Sequence, residues 1–319
     1  MFRSLLISLS KAAWAQQLVT HWKFAWRTAS RFVAGSTIQA AIPVVRELNA
    51  KGLNVTMDHL GESTTTREEA LKATRDILDL LDEIARSSLK ANVSVKLTQI
   101  GLALDEEMCA LNLEQILATA DKYSNFIRID MEDTPYTDRT IQMYKLMRSK
   151  GFTNVGLVIQ SYLYRSAKDV EDLLAEGARI RLVKGAYMEP PELAFRKKVE
   201  VDANFDNLAK RLIDATKLVG SPSLNVNGLI PPIPAFGTHD YKRILFAKKY
   251  ATTLGFPKQA MEFQMLYGIR RDLQSQCIKE NYPVRIYVPY GTHWYPYFMR
   301  RLAERPANIW FFISNLFRN

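Results

Sequence analysis

The chain has 319 residues, 47% of them hydrophobic and 11% aromatic, enough to bury one α/β barrel or two small domains. Its net charge of +10 comes from 43 Lys+Arg against 33 Asp+Glu scattered through one another, with no compact basic block or recognisable nucleic-acid motif, so no nucleic-acid partner is expected. Cys109 and Cys277 are too few for a disulfide framework or a cysteine metal cluster and fit a reducing, cytoplasmic setting.

The opening stretch, MFRSLLISLSKAAWAQQLVTHWKFAW, holds no apolar run of spanning length and no convincing cleavage site. It reads as amphipathic helices with Trp14, Trp22, Phe24 and Trp26 among basic positions. Residues 1–50 are therefore expected to form a helical arm packed on the main domain. The sharper reading is a peripheral contact with anionic lipid at the inner face of the cell membrane. The closing NIWFFISNLFRN carries the same two readings.

From residue 51 to 319 one catalytic barrel is expected, because short apolar or β-branched runs alternate with longer amphipathic segments. The strands are Leu53–His59, Val93–Leu97, Phe126–Met131, Val155–Gln160, Ile180–Lys184, Ala235–Thr238, Ala260–Met265 and Val284–Val288. Helices are expected over Thr66–Leu89, Asp105–Tyr123, Tyr136–Lys150, Ser166–Glu176, Val201–Leu218, Tyr241–Leu254 and Ile269–Glu280. Regular βα alternation implies a parallel sheet, and eight units imply a closed (β/α)8 TIM barrel. No GxGxxG follows a strand, so a dinucleotide fold of the open, doubly wound kind lacks its fingerprint. Ser221–Pro234, SPSLNVNGLIPPIP, is the least regular part.

After the eighth strand, Pro296 and Pro306 bracket a helix on which Tyr297, Arg300, Arg301 and Glu304 share one face. An exposed charged face accounts for that spacing. The strand and Tyr-rich loop before it favour a lid whose two planar guanidiniums bind a carboxylate.

Chemistry in such a barrel sits where the strands end. Those ends carry Asp58, His59 and Glu62; Lys96 and Gln99; Asp130, Met131, Glu132 and Asp133; Gln160; Arg181 to Tyr187; Thr238, His239 and Asp240; Gln264 and Leu266; and Tyr287. Lys96, Asp130 and Arg181 lie inside apolar runs, where burial is costly without partners, so they are expected to meet. Four histidines without an HxH or HExxH pair give no metal site. Lysines at barrel strand ends also fit a Schiff-base lyase or aldolase acting through Lys96 or Lys184.

Several of these runs resemble one family. RLVKGAY at Arg181–Tyr187, LGE at Leu60–Glu62, SVKLTQIG at Ser94–Gly101, RIDMED at Arg128–Asp133 and YPYFMRRLAERP at Tyr295–Pro306 are similar to proline dehydrogenase motifs. FVAG at Phe32–Gly35, LVIQSYLYR at Leu157–Arg165, FGTHD at Phe236–Asp240 and EFQMLYG at Glu262–Gly268 continue the likeness in the family's order. It is greatest to the compact monofunctional bacterial enzymes, so no fused aldehyde dehydrogenase is expected.

The resemblance implies a distorted barrel holding FAD, which oxidises L-proline to Δ1-pyrroline-5-carboxylate and passes electrons to a quinone. It implies that Arg300 and Arg301, assisted by Lys96, bind the substrate carboxylate, and that Tyr287, Tyr297 and Leu266 shape the pocket. Arg181 corresponds to the arginine near flavin N5, and Asp130 to the acid that fixes Tyr287 or Lys96. Met131 and Gln160 would bind the flavin ring, Lys184, Gly185 and Ala186 the ribityl and phosphate portion, and Thr238 and His239 the remainder of the dinucleotide. Glu62 and Glu304 would pair with the lid arginines, Glu62 as a gate. The run departs from the family at AGST, Ala34–Thr37, where an acidic residue is expected after the glycine. The Ser221–Pro234 loop also looks longer than in compact relatives, and it precedes the Thr238–His239 site.

Overall fold

The computed structural model describes residues 23–61 and 64–304. Eight parallel strands close into a barrel in chain order, each hydrogen-bonded to the next and β8 to β1. They are β1 (Asn54–His59), β2 (Ala91–Val95), β3 (Ile127–Ile129), β4 (Val155–Gln160), β5 (Arg179–Val183), β6 (Pro234–Gly237), β7 (Glu262–Leu266) and β8 (Val284–Tyr290).

Among the described residues two helices precede the barrel, α1 (Lys23–Ala29) and α2 (Ile38–Ala50); of the helical arm expected over residues 1–50, residues 1–22 lie outside the described residues. The outer layer is α3 (Arg67–Arg86), α4 (Glu106–Lys122), α5 (Thr134–Ser149), α6 (Ser166–Ala175), α7 (Lys198–Leu218), α8 (Tyr241–Thr253) and α9 (Arg271–Lys279), and α10 (Trp294–Glu304) follows β8. Local chemistry starts these helices where the sequence turns polar. Thr66 and Glu69 form a capping box on α3, and Asp105 accepts from the backbone N–H groups of Glu107 and Met108 on α4.

The outward faces of the strands meet the helices through one apolar layer in which Val55, Val93, Ile127, Leu157, Ile180, Phe263 and Ile286 are buried. Period-two alternation turns the intervening residues inward, and many of these are polar. Across the barrel wall Asp58 pairs in register with Ser94, Ser94 with Arg128, Arg181 with Ala235, and Gln264 with Arg285. A polar interior can exist only if its groups satisfy one another.

The floor is closed by the connection from α7 to β6. Arg285 Nη2 donates to Gly228 O at 2.7 Å, Asn92 Nδ2 to Leu229 O at 2.9 Å, and Arg179 Nη1 to Pro231 O at 2.5 Å. A connection from helix to strand runs at the N-terminal ends of the strands, opposite the mouth, and this one is held there by side chains of β2, β5 and β8.

Candidate active site

Six side chains from five strands converge near the C-terminal end of the barrel. Asp130, just beyond β3, accepts hydrogen bonds from Ser94 Oγ at 2.6 Å, Tyr287 Oη at 2.6 Å and Arg181 Nη1 at 2.9 Å. Lys96 Nζ lies 3.5 Å from the same carboxylate, 3.4 Å from Tyr287 Oη, and 3.1 and 3.2 Å from the two oxygens of Asp58. The Arg181 guanidinium also sits over the Tyr287 ring, 5.4 Å from its centroid. Two cations therefore meet two carboxylates in a buried cluster, and the formal charges balance.

Burial alone would push the Asp130 carboxyl up, but Lys96 and Arg181, together with the hydroxyls of Ser94 and Tyr287, hold it below the usual carboxylate range. Burial, reinforced by the carboxylates of Asp130 and Asp58, drives the Tyr287 phenol far above its ordinary value. Tyr287 is thus a fixed donor and Asp130 a fixed acceptor.

Below this layer the network continues without a break. Arg181 Nε donates to Gln264 Oε1 at 2.5 Å, and Gln264 Nε2 donates to Glu262 Oε1 at 2.5 Å. Glu262 takes two bonds from Arg285, at 2.8 and 3.0 Å.

The mouth is roofed by α10. Trp294, Tyr297, Phe298 and Met299 bury one face of that helix against Phe32, Leu60 and Ile269, with Leu266 and Trp26 packed at the edge. Trp26 meets Trp294 edge-on at 5.5 Å, so α1 anchors the roof. Gly268 permits this packing: its φ is +76°, and a Cβ there would lie 1.9 Å from Arg31 O. On the same helix the Arg301 guanidinium stacks 5.0 Å from the Tyr297 ring centroid and is buried, whereas Arg300 is half-buried. Glu62 lies outside the described residues; Glu304 ends α10, and its side chain is likewise outside them.

A second group follows β5 and β6. Lys184 Nζ bridges Asp202 of α7 and Asp240, the latter at 2.6 Å, and Asp240 in turn caps α8 through the Lys242 N–H. Burial raises the Asp240 carboxyl, but Lys184 more than offsets it and brings it to about 2. Gly185 has φ +114°, and a Cβ there would fall 2.2 Å from the Tyr162 ring, so only glycine lets the chain pass. Ala186 is half-buried beside it. His239 Nε2 accepts from the Leu266 N–H at 2.9 Å, and Thr238 Oγ1 accepts from the Asp240 N–H at 3.1 Å. Buried Gln160 donates to Glu132 O at 2.9 Å, tying β4 to the turn after buried Met131.

The structure thus brings Lys96, Asp130, Arg181 and Tyr287 together, and Leu266 together with Tyr297. Lys184 stands apart, on the helix side of the wall. Asp58, Ser94 and Gln264 were given no role from sequence although they complete the cluster. Strand alternation was the signal that pointed to them: each lies an even number of residues from an inward polar neighbour. Among the described residues no three His, Cys, Asp or Glu side chains could hold a metal ion.

A sequence model described as proline dehydrogenase matches residues 41–312. The chain belongs to the proline dehydrogenase family. It is 38% identical to proline dehydrogenase 2 of Bacillus subtilis over 97% of this chain and 96% of that one. To the proline dehydrogenase of Deinococcus radiodurans it is 36% identical, over 100% and 98% of the two chains. In structure it is similar to proline utilization A from Bdellovibrio bacteriovorus, with a TM-score of 0.79 and 26% identity over 88% of this chain, which spans 33% of that longer protein. As a proline dehydrogenase the chain is an oxidoreductase of proline catabolism, and that reaction calls for a redox cofactor.

Proposed function

We propose that the barrel mouth binds FAD and oxidises L-proline to Δ1-pyrroline-5-carboxylate. The observation that carries the reading is the buried Arg181–Asp130–Tyr287–Lys96 cluster beneath an aromatic roof that bears Arg300 and Arg301. Removal of a hydride from a small amino acid needs few groups of its own, provided that the substrate is held still and dry.

The residues present fit the cofactor. Arg181 offers a buried cation at the centre of the barrel, and the chain that follows it is half-exposed and passes Tyr162 through a glycine that admits close backbone approach. When bound there, FAD supplies the hydride acceptor at flavin N5. Arg181 would favour the electron-rich reduced ring, and Gln160 with the backbone around Met131 would hold the ring system. Gly185 and Ala186 would meet the ribityl and phosphate portion, with Thr238 and His239 further along. Lys184 commits its ammonium to Asp202 and Asp240, so its contribution to the phosphates is that of its main chain and of the geometry it imposes.

On the substrate side, Arg300 and Arg301 would clamp the carboxylate with help from Lys96. Tyr287, Tyr297 and Leu266 would wall the ring. Asp130 is a holder rather than a base, because a carboxylate fixed by Ser94, Tyr287 and Arg181 and kept below its usual range is a poor proton acceptor. Glu62 and Glu304 would pair with the lid arginines in the absence of substrate, Glu62 as the gate. A quinone would take the electrons, reached by peripheral contact with a membrane; among the described residues no helix is long and apolar enough to cross one.

The lyase reading fares worse. Schiff-base formation needs a free amine, and both Lys96 and Lys184 direct their ammonium groups at carboxylates.

The deciding experiment is an anaerobic visible absorption spectrum of the purified protein before and after L-proline. Flavin bands that bleach support the proposal. A colourless protein that cannot be reconstituted with FAD overturns it, and bands that bleach only with another cyclic amine reassign the substrate.

A further inference from the structure

We infer that Glu262 is a positioning residue for the reaction: through the Gln264 carboxamide it aims the Arg181 guanidinium at the barrel mouth. The inference rests on the reading of Arg181 as the cation beside the redox cofactor.

Glu262 lies at the start of β7, on the floor side of the barrel, and is 0% exposed. A carboxylate there costs much in solvation, and Arg285, which is 1% exposed, compensates it through Nε and Nη2. The remaining bonds of Arg285 run to Val55 O at 2.8 Å and Gly228 O at 2.7 Å, so the pair is fastened to β1 and to the connection closing the floor. A buried ion pair of this kind adds little to stability over a well-packed apolar pair. What it does here is present Gln264 with a carboxylate oxygen as acceptor.

That matters because a glutamine amide fits its cavity in two orientations of nearly equal shape. One neighbour of Gln264 is a guanidinium, which only donates, and the other is a carboxylate, which only accepts. With Oε1 toward Arg181 Nε and Nε2 toward Glu262, both contacts are satisfied. The flipped amide would set N–H against N–H and oxygen against oxygen. Glu262 therefore fixes the direction of the amide, and the amide fixes Nε of Arg181, while Asp130 holds Nη1. A guanidinium anchored at both ends cannot swing about its long side chain. Without Glu262 only the Asp130 end is held.

The test is a double-mutant cycle on the FAD-loaded full chain. In Glu262→Gln, position 262 no longer selects an amide orientation, and kcat should fall on the order of tenfold while KM for proline changes little. Gln264→Met removes both bonds and should show a similar loss. In that background Glu262→Gln should cost nothing more, because the path through the amide is already cut.

The reduction potential of bound flavin separates aiming from charge. Loss of a buried anion alone would raise the potential, whereas a badly aimed guanidinium lowers it, and a downward shift in Glu262→Gln is expected. If Glu262→Gln does not fold, the paired exchange Glu262→Met with Arg285→Met replaces the ion pair by apolar volume and should give the same kcat loss. An equal loss from Glu262→Gln with or without Gln264, or an unchanged or raised potential, overturns the inference. Failure of the underlying reading looks different: Arg181→Met would then leave both the flavin potential and kcat as they were.

Discussion

Tyr287 donates its hydroxyl to Asp130 at 2.6 Å, a bond between a phenol raised far above its usual range and a carboxylate held below its own. Each partner stabilises the protonation state the other requires. Tyr287→Phe keeps the ring that packs under Arg181 but removes the donor, while Ser94, Arg181 and Lys96 continue to neutralise Asp130. A hydrogen bond to a charged group contributes about 1.5–3 kcal/mol, so kcat/KM for proline should fall roughly ten- to hundredfold with the fold intact. Steady-state kinetics beside a denaturant titration checks this. Equal losses in stability and activity would show that the bond serves folding alone.

Asp58 gives the sharpest stability prediction. It is 1% exposed, and its carboxylate faces Lys96 at 3.1 Å. Asp58→Asn would leave a buried ammonium with one carboxylate instead of two, and breaking a buried pair in this way costs about 3–5 kcal/mol. Asp58→Asn together with Lys96→Met, which deletes both charges, should recover part of the loss. Urea unfolding of the three variants measures the difference, and a double variant no more stable than Asp58→Asn would argue against mutual compensation.

Much of this was legible because the barrel repeats one simple pattern. β4 spans the predicted Val155–Gln160 residue for residue, since an all-apolar run ending in one glutamine leaves no choice. β3 is shorter than its predicted Phe126–Met131: the ladder ends at Ile129, where Asp130 turns its carboxylate into the barrel and keeps only the bond from its N–H to Val95 O. The convergence of Lys96, Asp130 and Arg181 was legible from the cost of burying a lone charge. Asp58 was missed as its completion because register between β1 and β2 is not written in either strand. Lys184 lies three residues from inward Arg181, so alternation turns its side chain to the other face, toward Asp202 and Asp240. The floor position of Ser221–Pro234 depends on Arg285, Asn92 and Arg179, three side chains distant in sequence.

The Lys184 group predicts a slope in acid. Burial raises the Asp240 carboxyl but Lys184 and the Lys242 N–H bring it to about 2, below the ordinary aspartate value of about 3.9. A carboxylate with a depressed folded-state value contributes stability that is complete above its unfolded value and is lost as pH falls toward the folded one. That contribution should therefore vanish between about pH 4 and pH 2. Asp240→Asn keeps the cap on α8, because asparagine caps as well as aspartate, and removes only the charge. Its stability should fall less steeply than wild type across that window, as followed by circular dichroism during acid titration. Parallel profiles would mean that the ion pair with Lys184 contributes nothing.

The two thiols test whether the barrel wall opens. Burial pushes Cys109 up to about 12, and burial also raises Cys277, although Lys248 at 3.2 Å pulls the other way. Only the thiolate reacts at an appreciable rate. A maleimide at neutral pH should therefore modify neither cysteine in the folded chain and both in denaturant. As alkali is added, Cys277 should react first, because the Lys248 ammonium stabilises its anion, whereas the Glu132 carboxylate opposes ionisation of Cys109. Mass spectrometry of the labelled peptides gives the order. Cys109 reacting first would mean that β2 and α4 separate more readily than α8 and α9, which the capped, continuous packing of α4 by Asp105 argues against.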